Sequence, residues 1–206
     1  MTIELVIFDC DGVLFHSEPA NLGFYNEVLR QVGEPPMSGD SEAACHALAS
    51  AELFEKHFGD RPDVLARVRE VASATDYTPF FSLMEPRPGL HEMLDRLRIR
   101  YKTAMATNRG KTTYQVLDHF ALTDAFDIAV GAHDVERPKP HPDMLVHCAN
   151  VLAVAPSACV YVGDQATDAE AARRAGMPFV GTGPVAAAAR HAIDELDELE
   201  ALLASL

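Results

Sequence analysis

The sequence predicts a doubly wound parallel α/β sheet with a small α-helical cap inserted after the first strand. Three observations carry that prediction. Short apolar runs alternate with longer stretches whose apolar residues recur at three- and four-residue spacing, the pattern of parallel strands joined by crossover helices. Residues 18–82 break the alternation with helical patterns and no convincing strand. The chain has 206 residues and is 48% apolar, enough for one full domain, a modest insertion and a real core.

Each element has a local cause. Residues 3–8, 103–106, 126–130, 159–162 and 179–181 are short apolar runs and read as buried strands. Helical periodicity covers residues 89–97, opened by Pro88-Gly89, then 143–152, then 166–175, which Gly176-Met177-Pro178 stops. In the insertion, residues 21–32 are amphipathic, 42–58 are helical with a Gly59 stop, and 62–72 are helical again. The Pro-rich segment 85–89 reads as the return linker. This division predicts a core of residues 1–15 and 87–206 and a cap of residues 16–86. Residues 186–189 read as a short surface helix, and Ile193, Leu196, Leu199, Leu202 and Leu203 as the apolar stripe of a solvated docking helix.

Charge narrows the partners. The formal net charge is -14, which disfavours nucleic acid and anionic membrane, since both need a basic surface. No stretch approaches the roughly 20 apolar residues of a membrane span, and the amino-terminal residues lack a signal-peptide pattern. A soluble, cytoplasmic protein is expected, with its oligomeric state left open. Cys10, Cys45, Cys148 and Cys159 form no metal-ligand spacing and read as reduced thiols. Nine histidines fall in no HxH or HExxH arrangement, which disfavours a zinc site.

The informative segments lie at strand ends. Asp9 and Asp11 follow the first apolar run, and Gly12 permits a sharp turn there. Alone, that pair is an ordinary solvated turn. The second strand ends in Thr107-Asn108-Arg109, by itself a capping turn. Lys139 is fixed between prolines in Arg137-Pro138-Lys139-Pro140-His141-Pro142-Asp143, and only three other lysines occur in the chain. Asp164 ends a fourth run, and Asp168 follows four residues later. Acids, a hydroxyl, a lysine and further acids in this order are hard to dismiss as separate caps.

The segments DCDGVL, TN, the lysine of RPKPHPD and GDQATD resemble the four motifs of the haloacid dehalogenase superfamily. The likeness is greatest to its phosphoglycolate-phosphatase and β-phosphoglucomutase branch, and it extends over nearly the whole chain. The resemblance implies a Rossmann-like core and hydrolysis of a small phosphorylated metabolite, phosphoglycolate or a sugar phosphate, with Mg2+ as cofactor. It implies Asp9 as nucleophile and Asp11 as general acid and base. The metal would be held by Asp9, Asp164 and the Asp11 carbonyl, with Asp168 supporting that shell. Thr107, the Asn108 N–H and Lys139 would bind the transferring phosphate. Physical chemistry agrees: an anionic nucleophile reaches a dianionic ester only once charge is neutralised, and Mg2+ prefers oxygen ligands.

One position departs from the branch, where His16 replaces an aspartate near the cap hinge. Because that aspartate is not a catalytic group, the change bears on cap closure or substrate detail. A phosphomutase, or a phosphate-binding protein without turnover, are the competing readings. Dehalogenases generally lack the second acid, and a phosphonate-cleaving enzyme needs a cap lysine, whereas Lys56 reads as ordinary helix surface. Arg109 is balanced between substrate contact and a salt bridge. His141 reads as loop geometry, and Cys10, between two carboxylates, as a poor nucleophile. Among cap residues, His16, Asn21, Arg30, Ser41 and His46 are candidates for substrate selection.

Overall fold

A computed structural model describes residues 2–206, including their side chains apart from those of Ala43, His46 and Ala47. In chain order, β1 (Leu5–Phe8) and the short β2 (Phe15–His16) precede four helices, α1 (Glu18–Val32), α2 (Asp40–Ala47), α3 (Ser50–Phe58) and α4 (Pro62–Ala74). The short β3 (Glu85–Pro86) pairs with β2. Then follow α5 (Leu90–Leu97), β4 (Lys102–Thr107), α6 (Thr113–His119), β5 (Ile128–Gly131), α7 (Asp143–Val151), β6 (Cys159–Gly163), α8 (Ala166–Ala175), β7 (Phe179–Gly181), β8 (His191–Ala192) and α9 (Leu199–Leu203). The chain divides into two compact units. One joins the amino-terminal residues up to Phe15 with Pro86–Leu206, and the other is His16–Glu85. No helix among the described residues is long and apolar enough to cross a membrane.

The first unit is built on a six-stranded parallel sheet in the order β5-β4-β1-β6-β7-β8, flanked by helices. The chain runs outward from β1 through β4 to β5, then returns to place β6 on the other side of β1. That reversal is the switch point at which open α/β sheets bind ligands, beyond the carboxyl ends of their strands. All four residues of β1 are fully buried, as a central strand covered on both faces requires. Ile7 packs with Ala104, Val130, Met144, Leu145, Cys148 and Tyr161 in one apolar cluster. Full burial of such an aliphatic side chain contributes about 1.5–3 kcal/mol. Phe8 lies level with Met105 and Val162, so Asp9, Thr107 and Asp164 leave the sheet along one edge. The helix α6 and the edge strand β8 carry no periodic signal in the sequence, being only seven and two residues long.

Apart from its ends, the regular elements of the second unit are all helices. Leu53, Phe54 and Phe58 on α3 share a core with Tyr25, Val28 and Leu29 on α1 and Leu65 and Val68 on α4. Proline stands in the first turn of α1, as Pro19, and of α4, as Pro62, where its missing N–H leaves no intrahelical bond unmade. The single helix expected over 42–58 is two, because Leu48 and Ala49 are extended, with ψ of 148° and 146°. Neither glycine nor proline marks that break, and apolar periodicity runs across it. The carboxyl-terminal stripe is also shorter as a helix than its spacing suggests. Ile193, Leu196, Leu199 and Leu203 are buried, but a 3-10 turn at Leu196–Glu198 precedes the five-residue α9. The surface helix expected at 186–189 is the end of a 3-10 segment, Gly183–Ala188.

Candidate active site

Asp9 follows β1 directly and continues its pairing through an N–H donated to the Val162 carbonyl at 2.9 Å. Its carboxylate is buried, with Oδ1 accepting from the Cys10 N–H at 2.7 Å and the Lys139 ammonium at 2.9 Å. Burial pushes the Asp9 carboxyl well above the ordinary range; Lys139 opposes this, while Asp168, Asp164 and Asp11 add to it. Burial works against the charge on Lys139, yet Asp168 and Asp9 outweigh it and hold the ammonium protonated. The Lys139 ammonium also donates to Asp168 Oδ1 at 2.7 Å and to the Tyr161 hydroxyl at 2.8 Å.

Asp168 sits in the first turn of α8, fully buried, and serves two purposes. Its Oδ1 takes Lys139, and its Oδ2 accepts the backbone N–H groups of Asp164 and Gln165 at 3.2 and 3.0 Å. With the Gln165 side chain it forms a capping box that starts the helix. Gly163 lies so close that a Cβ there would overlap the Asp168 side chain. Asp168 is thus both a helix cap and a partner of Lys139.

Asp164 presents a different surface. Gln165 Nε2 donates to its Oδ2 at 2.7 Å, but its buried Oδ1 has no partner. Burial, then Asp168, raise its carboxyl to about 7, against the Gln165 hydrogen bond and Lys139. Gly12, at φ 74°, faces this carboxylate, and a Cβ there would collide with Asp164 Oδ2. Carboxylate oxygens of Asp9, Asp164 and Asp168 lie within 4.8 Å of one another. Three carboxylates facing one ammonium leave an excess of two negative charges, which a divalent cation matches. The donor set is all oxygen, as a hard cation prefers. The bare Asp164 Oδ1 makes this corner fit for such an ion, and Gly12, lacking a Cβ, leaves room for the Asp164 carboxylate. Asp168, with both oxygens committed to protein donors, is better suited to support than to ligate.

The remaining candidates lie around this centre. Asp11 is gripped by Arg109, Nε to Oδ2 at 2.8 Å and Nη2 to Oδ1 at 2.6 Å, so Arg109 does make a salt bridge. Thr107 ends β4, buried, with Oγ1 accepting the Arg109 N–H at 3.2 Å. The Asn108 side chain pairs reciprocally with the backbone of Lys139: Nδ2 donates to its carbonyl at 3.1 Å, and Oδ1 accepts its N–H at 3.0 Å. Sequence reading gave Asn108 a backbone role and missed this one. It missed Tyr161 altogether, a fully buried strand residue whose hydroxyl meets Lys139, Asp168 and the Ala106 carbonyl. The only signal is a polar-tipped residue in an otherwise apolar strand, three residues before Asp164. Cys10 is buried, and burial with the Asp11 charge drives its thiol pKa up, away from nucleophilic reactivity.

Within the helical unit, several candidates are committed to local partners. Asn21 Oδ1 accepts from the Tyr77 hydroxyl at 2.6 Å, Arg30 forks onto Glu27, and Ser41 bonds His57 Nδ1 at 2.8 Å. His16 and Lys56 are exposed, and the side chain of His46 lies outside the described residues.

Comparison with known proteins adds independent findings. The profile of the haloacid dehalogenase-like hydrolases matches residues 6–182, a span containing every candidate residue above in the sheet-bearing unit. A phosphoglycolate phosphatase of Rhodobacter capsulatus is 31% identical over 194 residues, 85% of this chain and 82% of that one. The crystal structure of a haloacid-dehalogenase-superfamily hydrolase from Geobacter sulfurreducens matches at 33% identity and a TM-score of 0.75, over 98% of this chain and 96% of the other. A β-phosphoglucomutase from Clostridium difficile shares the fold, at a TM-score of 0.82 and 21% identity, over 99% and 98% of the two chains.

Proposed function

The chain belongs to the haloacid dehalogenase-like hydrolases, and from that premise we propose that it is a magnesium-dependent phosphatase acting on a small phosphorylated metabolite through Asp9. Phosphoglycolate is the favoured substrate, on the strength of the relative named for that activity, with a sugar phosphate next. The observation that carries the reading is the Asp9–Lys139 contact, 2.9 Å and buried, beside the partnerless Asp164 Oδ1.

Lys139 and the Cys10 N–H both hold Asp9 Oδ1. The other oxygen, Oδ2, is left to attack phosphorus in line and form an aspartyl-phosphate. Lys139 meets the negative charge on the transferring oxygens, and Thr107 Oγ1 with the Asn108 N–H donates to the same group. Asp9, Asp164 and the Asp11 carbonyl would hold Mg2+, which when bound neutralises the ester dianion and the carboxylates around it. Asp11 delivers a proton to the leaving oxygen and later takes one from the attacking water. Arg109 occupies both Asp11 oxygens, so Asp11 acts only once one of these bonds is released. In this scheme the helical insertion, residues 16–86, is read as the cap.

The test is hydrolysis of phosphoglycolate and of an aryl phosphate, with and without Mg2+, alongside Asp9→Asn. Metal-dependent release of phosphate that the substitution abolishes supports the proposal. No release from any phosphorylated metabolite, or turnover of sugar phosphates by isomerisation alone, overturns it.

A further inference from the structure

We infer that Tyr161 is a positioning residue for Lys139, a role that rests on the phosphatase reading and names a residue outside its motifs. An ammonium has three protons, and Lys139 finds three acceptors: Asp168 Oδ1 at 2.7 Å, the Tyr161 hydroxyl at 2.8 Å and Asp9 Oδ1 at 2.9 Å. The direction of every Lys139 N–H is thereby set. The Tyr161 hydroxyl in turn has one proton and two acceptors within reach, Asp168 Oδ1 at 3.0 Å and the Ala106 carbonyl at 3.1 Å. Ala106 precedes Thr107, so this one hydroxyl ties the end of β4, the Lys139 loop and the first turn of α8 together.

The three acceptors are not equal. Two are carboxylates, whose hydrogen bonds to an ammonium are charge-assisted on both sides, while the phenol is neutral and the weaker partner. As Asp9 attacks, its carboxylate loses charge to the phosphoryl group, so the N–H aimed at Asp9 turns to a phosphoryl oxygen while Asp168 and Tyr161 keep the other two in place. Tyr161 keeps its own proton on Asp168 or Ala106 during that exchange. Without the hydroxyl, Lys139 is drawn towards Asp168 and Asp9 alone, and its third N–H loses its fixed direction.

Tyr161→Phe keeps the buried ring and removes only the oxygen. The expected result is a kcat about 10- to 100-fold below wild type, less than the roughly 100- to 1000-fold for outright loss of one aimed donor because Lys139 itself remains, with KM changed by less than about threefold. Inhibition by orthovanadate, which mimics the five-coordinate transferring group, weakens by the same factor as kcat, while inhibition by inorganic phosphate hardly moves. A lower melting temperature with unchanged kcat and vanadate affinity overturns the inference and leaves Tyr161 a packing residue. A kcat loss without a vanadate effect overturns it as well. If the Phe variant does not fold, replacing Tyr161 with 4-aminophenylalanine restores an acceptor and a donor at the same place. That variant is expected within about threefold of wild-type kcat, and a rate below a tenth of wild type overturns the inference. A wild type that hydrolyses no phosphate ester sinks the phosphatase reading, and the positioning role falls with it.

Discussion

Arg109 grips both carboxylate oxygens of Asp11 with two near-parallel bonds, 2.8 Å from Nε to Oδ2 and 2.6 Å from Nη2 to Oδ1. Only 5% of the Arg109 side chain and 14% of the Asp11 side chain are exposed. A fork of this kind fixes the plane of the carboxylate as well as its position. Asp11 is two residues from Asp9, so the grip also fixes the backbone turn that carries the Asp11 carbonyl.

Arg109→Lys retains the charge but cannot form the fork. The expected loss of stability is about 1–2 kcal/mol, the difference between a bidentate and a single charge-assisted contact. Arg109→Met removes the charge and leaves Asp11 without its guanidinium, for an expected loss of about 3–5 kcal/mol. Urea denaturation of the three proteins measures both. Equal midpoints and slopes would show that the pairing has no role in the folded state's stability.

Gly12→Ala tests the proposed metal corner from the other side. A Cβ at Gly12 meets the Asp164 carboxylate, and the backbone there has φ 74°. Strain from the left-handed conformation is expected to cost about 1 kcal/mol. The larger effect is displacement of the Asp164 oxygen, with Mg2+ affinity reduced at least about tenfold, as for other disturbances of ligand orientation. Magnesium titration of the hydrolysis rate reads this directly. An unchanged half-saturating concentration would mean that Asp164 does not hold the ion.

The metal-free protein has a pH signature. Burial and Asp168 raise the Asp164 carboxyl to about 7, above the ordinary carboxylate value of 3.8. A raised folded-state value means that the folded protein binds the proton more tightly than the unfolded chain. The associated stability is complete below about pH 4 and is lost as pH rises through about 7. Melting temperatures without metal are therefore expected to fall between pH 5 and pH 8. Asp164→Asn should flatten that part of the profile while abolishing the magnesium response. A profile unchanged by the substitution would assign the slope to another group.

How far these features could be read from the chain depends on their length scale. Asp9, Asp11, Thr107, Lys139, Asp164 and Asp168 stood out because each ends a strand, or sits in a rigid loop or first turn, with a local residue pattern. The central strands were legible because burial on both faces makes them continuously apolar, as in Leu5–Phe8. Tyr161 was not legible, because its meaning depends on Lys139, 22 residues away in sequence and 2.8 Å away in space. The break between α2 and α3 was hidden because Leu48 and Ala49 keep the apolar period while leaving the helix. Arg109 was half legible: its charge announced a partner, and only the fold could choose Asp11.

Asn108 carries the last prediction, which concerns how the Lys139 loop is held. Its side-chain amide pairs with the Lys139 N–H and carbonyl at 3.0 and 3.1 Å, reproducing with one side chain the bonds that a neighbouring strand would make. Asn108→Ala removes both, at an expected cost of about 1–3 kcal/mol for two net hydrogen bonds. Lys139 retains Asp9, Asp168 and Tyr161 through its ammonium, so the loop should loosen without releasing the charge. The rate is then expected to drop about tenfold through misplacement of Lys139, with phosphate inhibition weakened less. Asn108→Asp separates the two bonds: it keeps the acceptor for the Lys139 N–H and replaces the donor with an oxygen that repels the Lys139 carbonyl. It should therefore be slower than the alanine variant. If instead the aspartate variant matches wild type, the Nδ2 bond does not hold the loop, and the Lys139 ammonium contacts alone keep it in place.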